Sequence, residues 1–250
     1  MKEIITHRLS AHLFSNAWNA SPEEVVRHML CMQSQDITQA KRSIASRAQC
    51  SEQDIVDAFN AGKIVRTWTQ RGTIHTVCAE DAARMVQLCA SKTLWGFKKR
   101  REYLGITDME IDRILERVPV ILREHWPLSR KQIAMILASE WFDISANKPY
   151  HIMCYAWTLW LTVQWPIVGK EQCFVSTSDR LQKTIRLTEE SALRELCLRY
   201  FTSHGPATVD DLQRRSWIGK TQIKKWIEAC WSLLSCENFD WTIYYFGKQS

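Results

Sequence analysis

Two short segments hold the residues whose types and spacing could do chemistry in this 250-residue chain. The first is Met32-Gln33-Ser34-Gln35-Asp36, which follows a helical apolar face of Val25, Val26, Met29 and Leu30. Two amides flanking a small residue can aim two carbonyl oxygens at one point if the backbone there is not helical, and Asp36 reads as the N-cap of the next helix. The competing structural reading of the glutamines is a polar helix end. The second segment is Arg66-Thr67-Trp68-Thr69-Gln70-Arg71-Gly72-Thr73-Ile74-His75. On a strand, Arg66 and Trp68 project to the same face, and Gly72 permits a tight turn. Here the structural reading is a core tryptophan among surface arginines.

Two basic clusters accompany these segments. Lys98-Lys99-Arg100-Arg101 is an unbroken run, and Arg214, Arg215, Lys220, Lys224 and Lys225 form a second group. Either can neutralise phosphates, with binding that falls steeply with salt, or form a solvated helix face. The balance of 33 basic against 27 acidic residues, +6, is compatible with nucleic acid without requiring it. His75 has no triad partner at identifiable spacing. The chain also lacks G-x-S-x-G, a phosphate-binding glycine loop and H-E-x-x-H. Nine scattered cysteines without a C-x-x-C pair point to free thiols packed as small apolar residues rather than to zinc. No metal and no cofactor is expected.

The elements that must position these residues are mostly helices, because the chain has only 8 glycines and 6 prolines. Ser21-Pro22-Glu23-Glu24 is a capping signal with proline at the first helical position. Ser51, Thr107, Ser129, Thr188 and Thr208 are further caps, each ahead of an apolar-periodic stretch. Strand-like pairs follow the helices: 64–68 with 73–77 around Arg71-Gly72, 166–168 with 173–175 around Gly169-Lys170, and 231–234 with 241–246 around an Asn-containing turn. Pro127-Leu128-Ser129 before Ile133 is echoed by Pro206-Ala207-Thr208 before Leu212. Three helices and a hairpin make a winged helix, so the expected fold is mainly α with short β-hairpins, in tandem winged-helix modules over 1–90, 91–185 and 186–250. The longest apolar stretch, 152–165, is interrupted by Thr158, Thr162 and Gln164 and falls short of a membrane span, and the N-terminus lacks a signal-type apolar core. A cytoplasmic, nucleoid-associated protein is the expectation.

"MQSQD", followed about thirty residues later by "VRTWTQRGTIHTV", resembles the winged-helix DNA glycosylases of the AlkZ/YcaQ type. The family's two-glutamine motif falls on Gln33 and Gln35, and its R-x-W-x-x-R-G-T-Φ-H block on Arg66, Trp68, Arg71, Gly72, Thr73 and His75. "HGPATVDDLQRRS", from His204 to Ser216, resembles the start of the family's last winged helix. The resemblance runs from about residue 7 to 247. It implies tandem winged helices that excise bulky alkylated bases from double-stranded DNA and unhook crosslinks. A purine alkylated at N7 or N3 is already cationic, so its departure needs no strong general acid, and the transition state has oxocarbenium character. Under the resemblance, Gln33 and Gln35 hold and orient the attacking water. Arg66, Arg71 and Lys98, Lys99, Arg100 and Arg101 contact backbone phosphates, Trp68 shares that face, and His75 ties the hairpin or borders the pocket. An open, concave site is expected, since a bulky adduct does not easily enter a closed pocket. Family members usually continue into a β-rich region beyond the third winged helix, whereas this sequence stops just after it, so the expectation is a C-terminally shortened branch, a degraded copy or an incomplete reading frame. The alternative is a non-catalytic winged-helix DNA-binding regulator, with helix 218–229 carrying Lys220, Lys224 and Lys225 into the major groove and Trp217, Trp226 and Ile227 facing its core.

Overall fold

Capping chemistry sets the helix starts in the computed structural model, which describes residues 2–15, 20–168, 171–181 and 188–248. After α1 (Lys2–Ala11), Ser21 and Glu24 form a reciprocal capping box on α2 (Pro22–Met29). The chain then extends as β1 (Met32–Gln33), and Asp36 accepts the Thr38 and Gln39 N–H groups at the start of α3 (Ile37–Ala48). Ser51 caps α4 (Glu52–Asn60), which leads into β2 (Ile64–Trp68) and β3 (Ile74–Cys78). The long α5 (Ala79–Leu104) precedes α6 (Asp108–His125), β4 (Leu128–Ser129), α7 (Arg130–Ser139), α8 (Lys148–Thr158), β5 (Thr162–Val168), β6 (Glu171–Ser176) and the short α9 (Thr177–Arg180). The last part is α10 (Glu189–His204), α11 (Val209–Ser216), α12 (Lys220–Ala229), β7 (Leu234–Phe239) and β8 (Thr242–Gly247). Thr107, Ser129, Thr188 and Thr208 cap α6, α7, α10 and α11. The chain is mainly helical with short antiparallel hairpins, as expected of tandem winged helices.

The first two hairpins are not separate wings. They join through Arg66 opposite Gln164 into one antiparallel sheet of order β1-β3-β2-β5-β6-β4. Val65 lies opposite Val77 and Val163 opposite Val175. These four fully buried valines meet Leu30, Ala82, Met85 and Leu196 in one cluster, so helices of the first and third parts pack on a sheet shared by the first and second. The expected boundary at residue 90 falls within α5. Asp81 of that helix, buried, pairs with Arg84 and with Arg199 of α10 at 2.8 Å, while Arg199 also donates to the Arg27 carbonyl.

The third hairpin stands apart and differs from expectation. Residues 231–233 belong to the turn after α12, and the reversal falls at Asp240-Trp241, both left-handed, rather than at Asn238, which pairs with Ile243. Buried Leu234 and the Ala207–Tyr245 bridge pin this register, and a one-residue slip would turn the core side chains outward. Trp217 was expected to face the core and is instead half exposed in the left-handed C-cap of α11; Trp226 and Ile227 are buried. The Gly169-Lys170 turn lies outside the described residues. No helix among the described residues is long and apolar enough to cross a membrane.

Candidate active site at the junction of the winged helices

The segment that carries the two glutamines begins with a backbone reversal. Leu30 closes α2 at φ 64°, ψ −55°, and the Cys31 N–H donates to the Met29 carbonyl at 2.7 Å. This is a positive-φ γ-turn, a strained geometry for a leucine, and its buried side chain keeps it in place. The chain emerges extended, so Gln33 and Gln35 are exposed on either side of fully buried Ser34.

Arg66 holds this segment. It is 2% exposed; its Nε donates to Ser34 Oγ at 2.9 Å, its Nη2 to the Ser34 carbonyl and its Nη1 to Gln164 Oε1 at 2.6 Å. Burial pulls the guanidinium down to about 10, and its fork is filled by neutral acceptors rather than a carboxylate. The ladder to β3 changes as a result. Ser34 N–H donates to the Ile74 carbonyl at 2.8 Å, but the Ser34 carbonyl is occupied by Arg66. The returning Ile74 N–H therefore donates to Gln35 Oε1 at 2.9 Å. That donor fixes the amide's orientation: Gln35 has one oxygen lone pair and its NH2 group left to offer. The Gln33 amide makes no hydrogen bond among the described residues.

Gln33 lies directly opposite His75, so their side chains share a face of the sheet. His75 is 1% exposed, with Nδ1 3.1 Å from the Thr73 carbonyl. A carbonyl only accepts, so the proton is assigned to Nδ1 and Nε2 presents a lone pair. Burial first, then the charges of Arg215 and Arg71, lower the imidazole to about 4, so it is neutral near pH 7. Its Nε2, like Thr67 Oγ1, Gln70 Oε1, Arg71 Nε and Thr76 Oγ1, is buried without a protein partner among the described residues.

A cationic hollow of about 300 Å³ lies near this face, lined by Arg8, Arg71, Arg214 and Arg215 with His204 stacked on Tyr200. Asp211 is the one carboxylate among its described lining residues, and it pairs with Arg8 at 3.2 Å and Arg214 at 2.6 Å. His12 and His204 are held neutral by burial and the neighbouring arginines. Arg215 donates to the Cys31 carbonyl, so α11 grips the chain two residues before Gln33. On another side, Gln35 and Arg66 line a larger cavity of about 520 Å³ that reaches to α7 and α8.

The expected residues are distributed accordingly. Gln33, Gln35, Arg66 and His75 are linked through one ladder, and Arg71 lies in the cationic hollow. Arg71 sits at φ 57° in a 3-10 turn, Gln70–Gly72, beside Gly72 at φ 62°. Arg66 differs from the expectation of a phosphate contact, because it is buried and its three hydrogen bonds all go to acceptors inside the protein. Trp68 packs edge-on against Tyr150 and Trp157, at 6.0 and 5.9 Å, and joins the first hairpin to α8. The basic run divides: Lys98, Lys99 and Arg100 are exposed on α5, while Arg101 pairs with Asp108 at 2.9 Å and covers the Tyr155 ring. None of the four lines either hollow. In the second cluster, Lys220 pairs with Asp210 and Lys225 with Glu190. Ser34, Gln164, Arg8 and His12 were not anticipated as site residues. Gln164 carried one hint, as a polar interruption of the apolar stretch 152–165, whereas Arg8 and His12 carried none.

Comparison with known proteins agrees with this architecture. The chain is 20% identical over 239 residues to an interstrand DNA cross-link repair glycosylase of Streptomyces sahachiroi, covering 90% of this chain and 63% of that protein. It thus spans less than two thirds of that relative's length. The solved structure of the DNA glycosylase AlkZ from the same organism superposes with a TM-score of 0.80 at 18% identity, over 99% of this chain and 69% of the other, which establishes a shared fold. The sequence model described as "DNA glycosylase AlkZ-like" matches residues 26–237, which include both glutamines, the 66–75 hairpin and most of the third winged helix, and so the chain belongs to the AlkZ-like DNA glycosylase family.

Proposed function

We propose that this chain is a monofunctional DNA glycosylase that hydrolyses the N-glycosidic bond of bulky or crosslinking alkylated purines in double-stranded DNA. The observation that carries the reading is the pair of exposed amides on a segment locked by Arg66, beside a hollow dominated by arginine. Gln33, and the remaining lone pair of Gln35, hold a water near the anomeric carbon; His75, buried and neutral beside Gln33, adds no competing positive charge there. Water oxygen bonds to the anomeric carbon as the carbon–nitrogen bond breaks. The electron pair leaves with the cationic purine, which becomes neutral, and the surplus proton passes to solvent. Neutral amides exert a modest pull, sufficient for a leaving group that is already charged and insufficient for normal nucleotides. Arg71 with Arg215, and more remotely Lys98, Lys99 and Arg100, contact phosphates; Arg66 and Trp68 serve as scaffold.

The three modules, 1–90, 91–185 and 186–250, act together on the duplex, and a cytoplasmic, nucleoid-associated location accords with that substrate. No metal or nucleotide takes part in the proposed step. The test is release of alkylated base from treated duplex in the presence of chelator. Gln33→Ala and Gln35→Ala are expected to lose release by about a hundred-fold while still binding DNA. Undiminished release in both variants would remove the glutamines from the mechanism, and no release by the unaltered chain would remove the activity.

A further inference from the structure

The 520 Å³ cavity beside Gln35 is not needed to position a water, and its walls point to a different task. One side is polar and belongs to the first winged helix, with the Gln35 amide and the buried Arg66 guanidinium. The other is formed by Tyr150, Met153 and Trp157 of α8 and by Phe174 of β6. Mostly apolar concavities of roughly 300–1,000 Å³ with a few convergent polar groups hold drug-sized ligands, larger than a bare nucleobase. Trp157 is 3% exposed and packs edge-on against Trp68 and tilted on Phe174, so this wall is a rigid aromatic surface. Exposed Arg130 and Lys131, at the start of α7, border the cavity against Glu171, leaving an excess of positive charge suited to an approaching DNA strand.

We propose that this cavity receives the substituent of an alkylated purine, with planar aromatic groups favoured, while the sugar faces the glutamines. The inference rests on the DNA glycosylase reading and deepens it by placing adduct selectivity on α7 and α8 rather than on the catalytic segment. Aromatic walls contribute most when a ring fills the space between them, and an unfilled cavity contributes nothing to a methyl adduct. Selectivity should therefore increase with adduct size.

The test compares short duplexes that differ only in carrying N7-methylguanine or N7-(naphthylmethyl)guanine. Ala134→Trp fills the cavity from its partly exposed α7 wall, and Tyr150→Ala removes an aromatic wall. In each variant the ratio of naphthylmethyl to methyl base release is expected to fall about ten-fold or more relative to the unaltered chain. Equilibrium affinity for the naphthylmethyl duplex over undamaged duplex should fall with it, and cooperative thermal unfolding of either variant suffices to show that it folds. An unchanged release ratio and an unchanged binding preference in a folded variant would overturn the assignment, as would absence of any binding preference in the unaltered chain. If the unaltered chain releases no base yet its binding preference is lost in Ala134→Trp, the glycosylase reading fails and the cavity assignment stands.

Discussion

Removing the Arg66 guanidinium separates a scaffold role from a phosphate contact. In Arg66→Ala, the Ser34 carbonyl, Ser34 Oγ and Gln164 Oε1 all lose their donor in a buried setting. Hydrogen bonds to a charged group are worth about 1.5–3 kcal/mol each, so the gross loss is roughly 5–9 kcal/mol. Against it stands relief of the buried cation's desolvation, several kcal/mol, whose weight is visible in the guanidinium's fall to about 10. The expected net destabilisation is about 2–4 kcal/mol, read as a lower urea midpoint. The catalytic effect follows from the ladder. With the Ser34 carbonyl free, Ile74 N–H can pair with it in ordinary β fashion and release Gln35, whose amide is then unfixed. A displacement of about 1 Å costs on the order of a hundred-fold in rate, and Arg66→Lys should share the loss because an ammonium cannot span three acceptors as the planar fork does. Duplex affinity against salt provides the discriminating assay. A phosphate contact would lower the slope by about 0.9. A scaffold residue leaves the slope as it is. A shallower slope together with unaltered base release would refute the scaffold argument.

The cationic hollow and the neutral imidazoles give two further expectations. Arg71→Gln and Arg215→Gln should each weaken duplex binding and reduce the salt slope by about 1, measured by fluorescence anisotropy across a salt series; unchanged slopes in both would remove the hollow from the DNA interface. Burial, with neighbouring arginines second, holds His12, His75 and His151 at about 4 and His204 well below 6.5. The unfolded chain takes up these protons first, so this contribution to stability is complete above about 6.5 and is lost as pH falls toward about 4. Urea midpoints should decline across that window, and midpoints independent of pH there would contradict the buried neutral assignment.

Features governed by neighbouring residues were legible in the sequence, and those governed by distant pairing were not. Ser21, Ser51 and Thr208 cap helices because the donors they satisfy lie three residues away. Gly72 marks a turn because its own φ demands it. Nothing near residue 66 announces that Gln164, on another hairpin, will share its guanidinium, and without that partner Arg66 reads as a surface cation. Arg101 was grouped with its exposed neighbours for the same reason, although helical geometry turns it toward Asp108 and Tyr155. Asn238 carried a genuine turn preference that the register of Leu234 overrode.

The glutamine segment is a junction, which makes a strong claim about dissection. Its Cys31 carbonyl is held by Arg215 of the third part, and its Ser34 by Arg66 of the first, itself braced by Gln164 of the second. Residues 1–90 alone would keep both glutamines and lose Gln164 and Arg215. They would also lose the Val163, Val175 and Leu196 side chains that cover Val65 and Val77. Uncovering each valine forfeits about 1.5–3 kcal/mol, a large share of what a domain that small can possess. The strained turn at Leu30 is held by that same cluster, so the extended path of residues 31–35 should relax once it opens. Hydrogen exchange is the direct measurement: in the whole chain the Ser34 and Ile74 amides should be protected, and in the 1–90 fragment they should exchange at rates close to those of an unfolded peptide. A fragment that unfolds cooperatively, protects both amides and releases alkylated base would show that one winged helix is sufficient and that the junction is incidental.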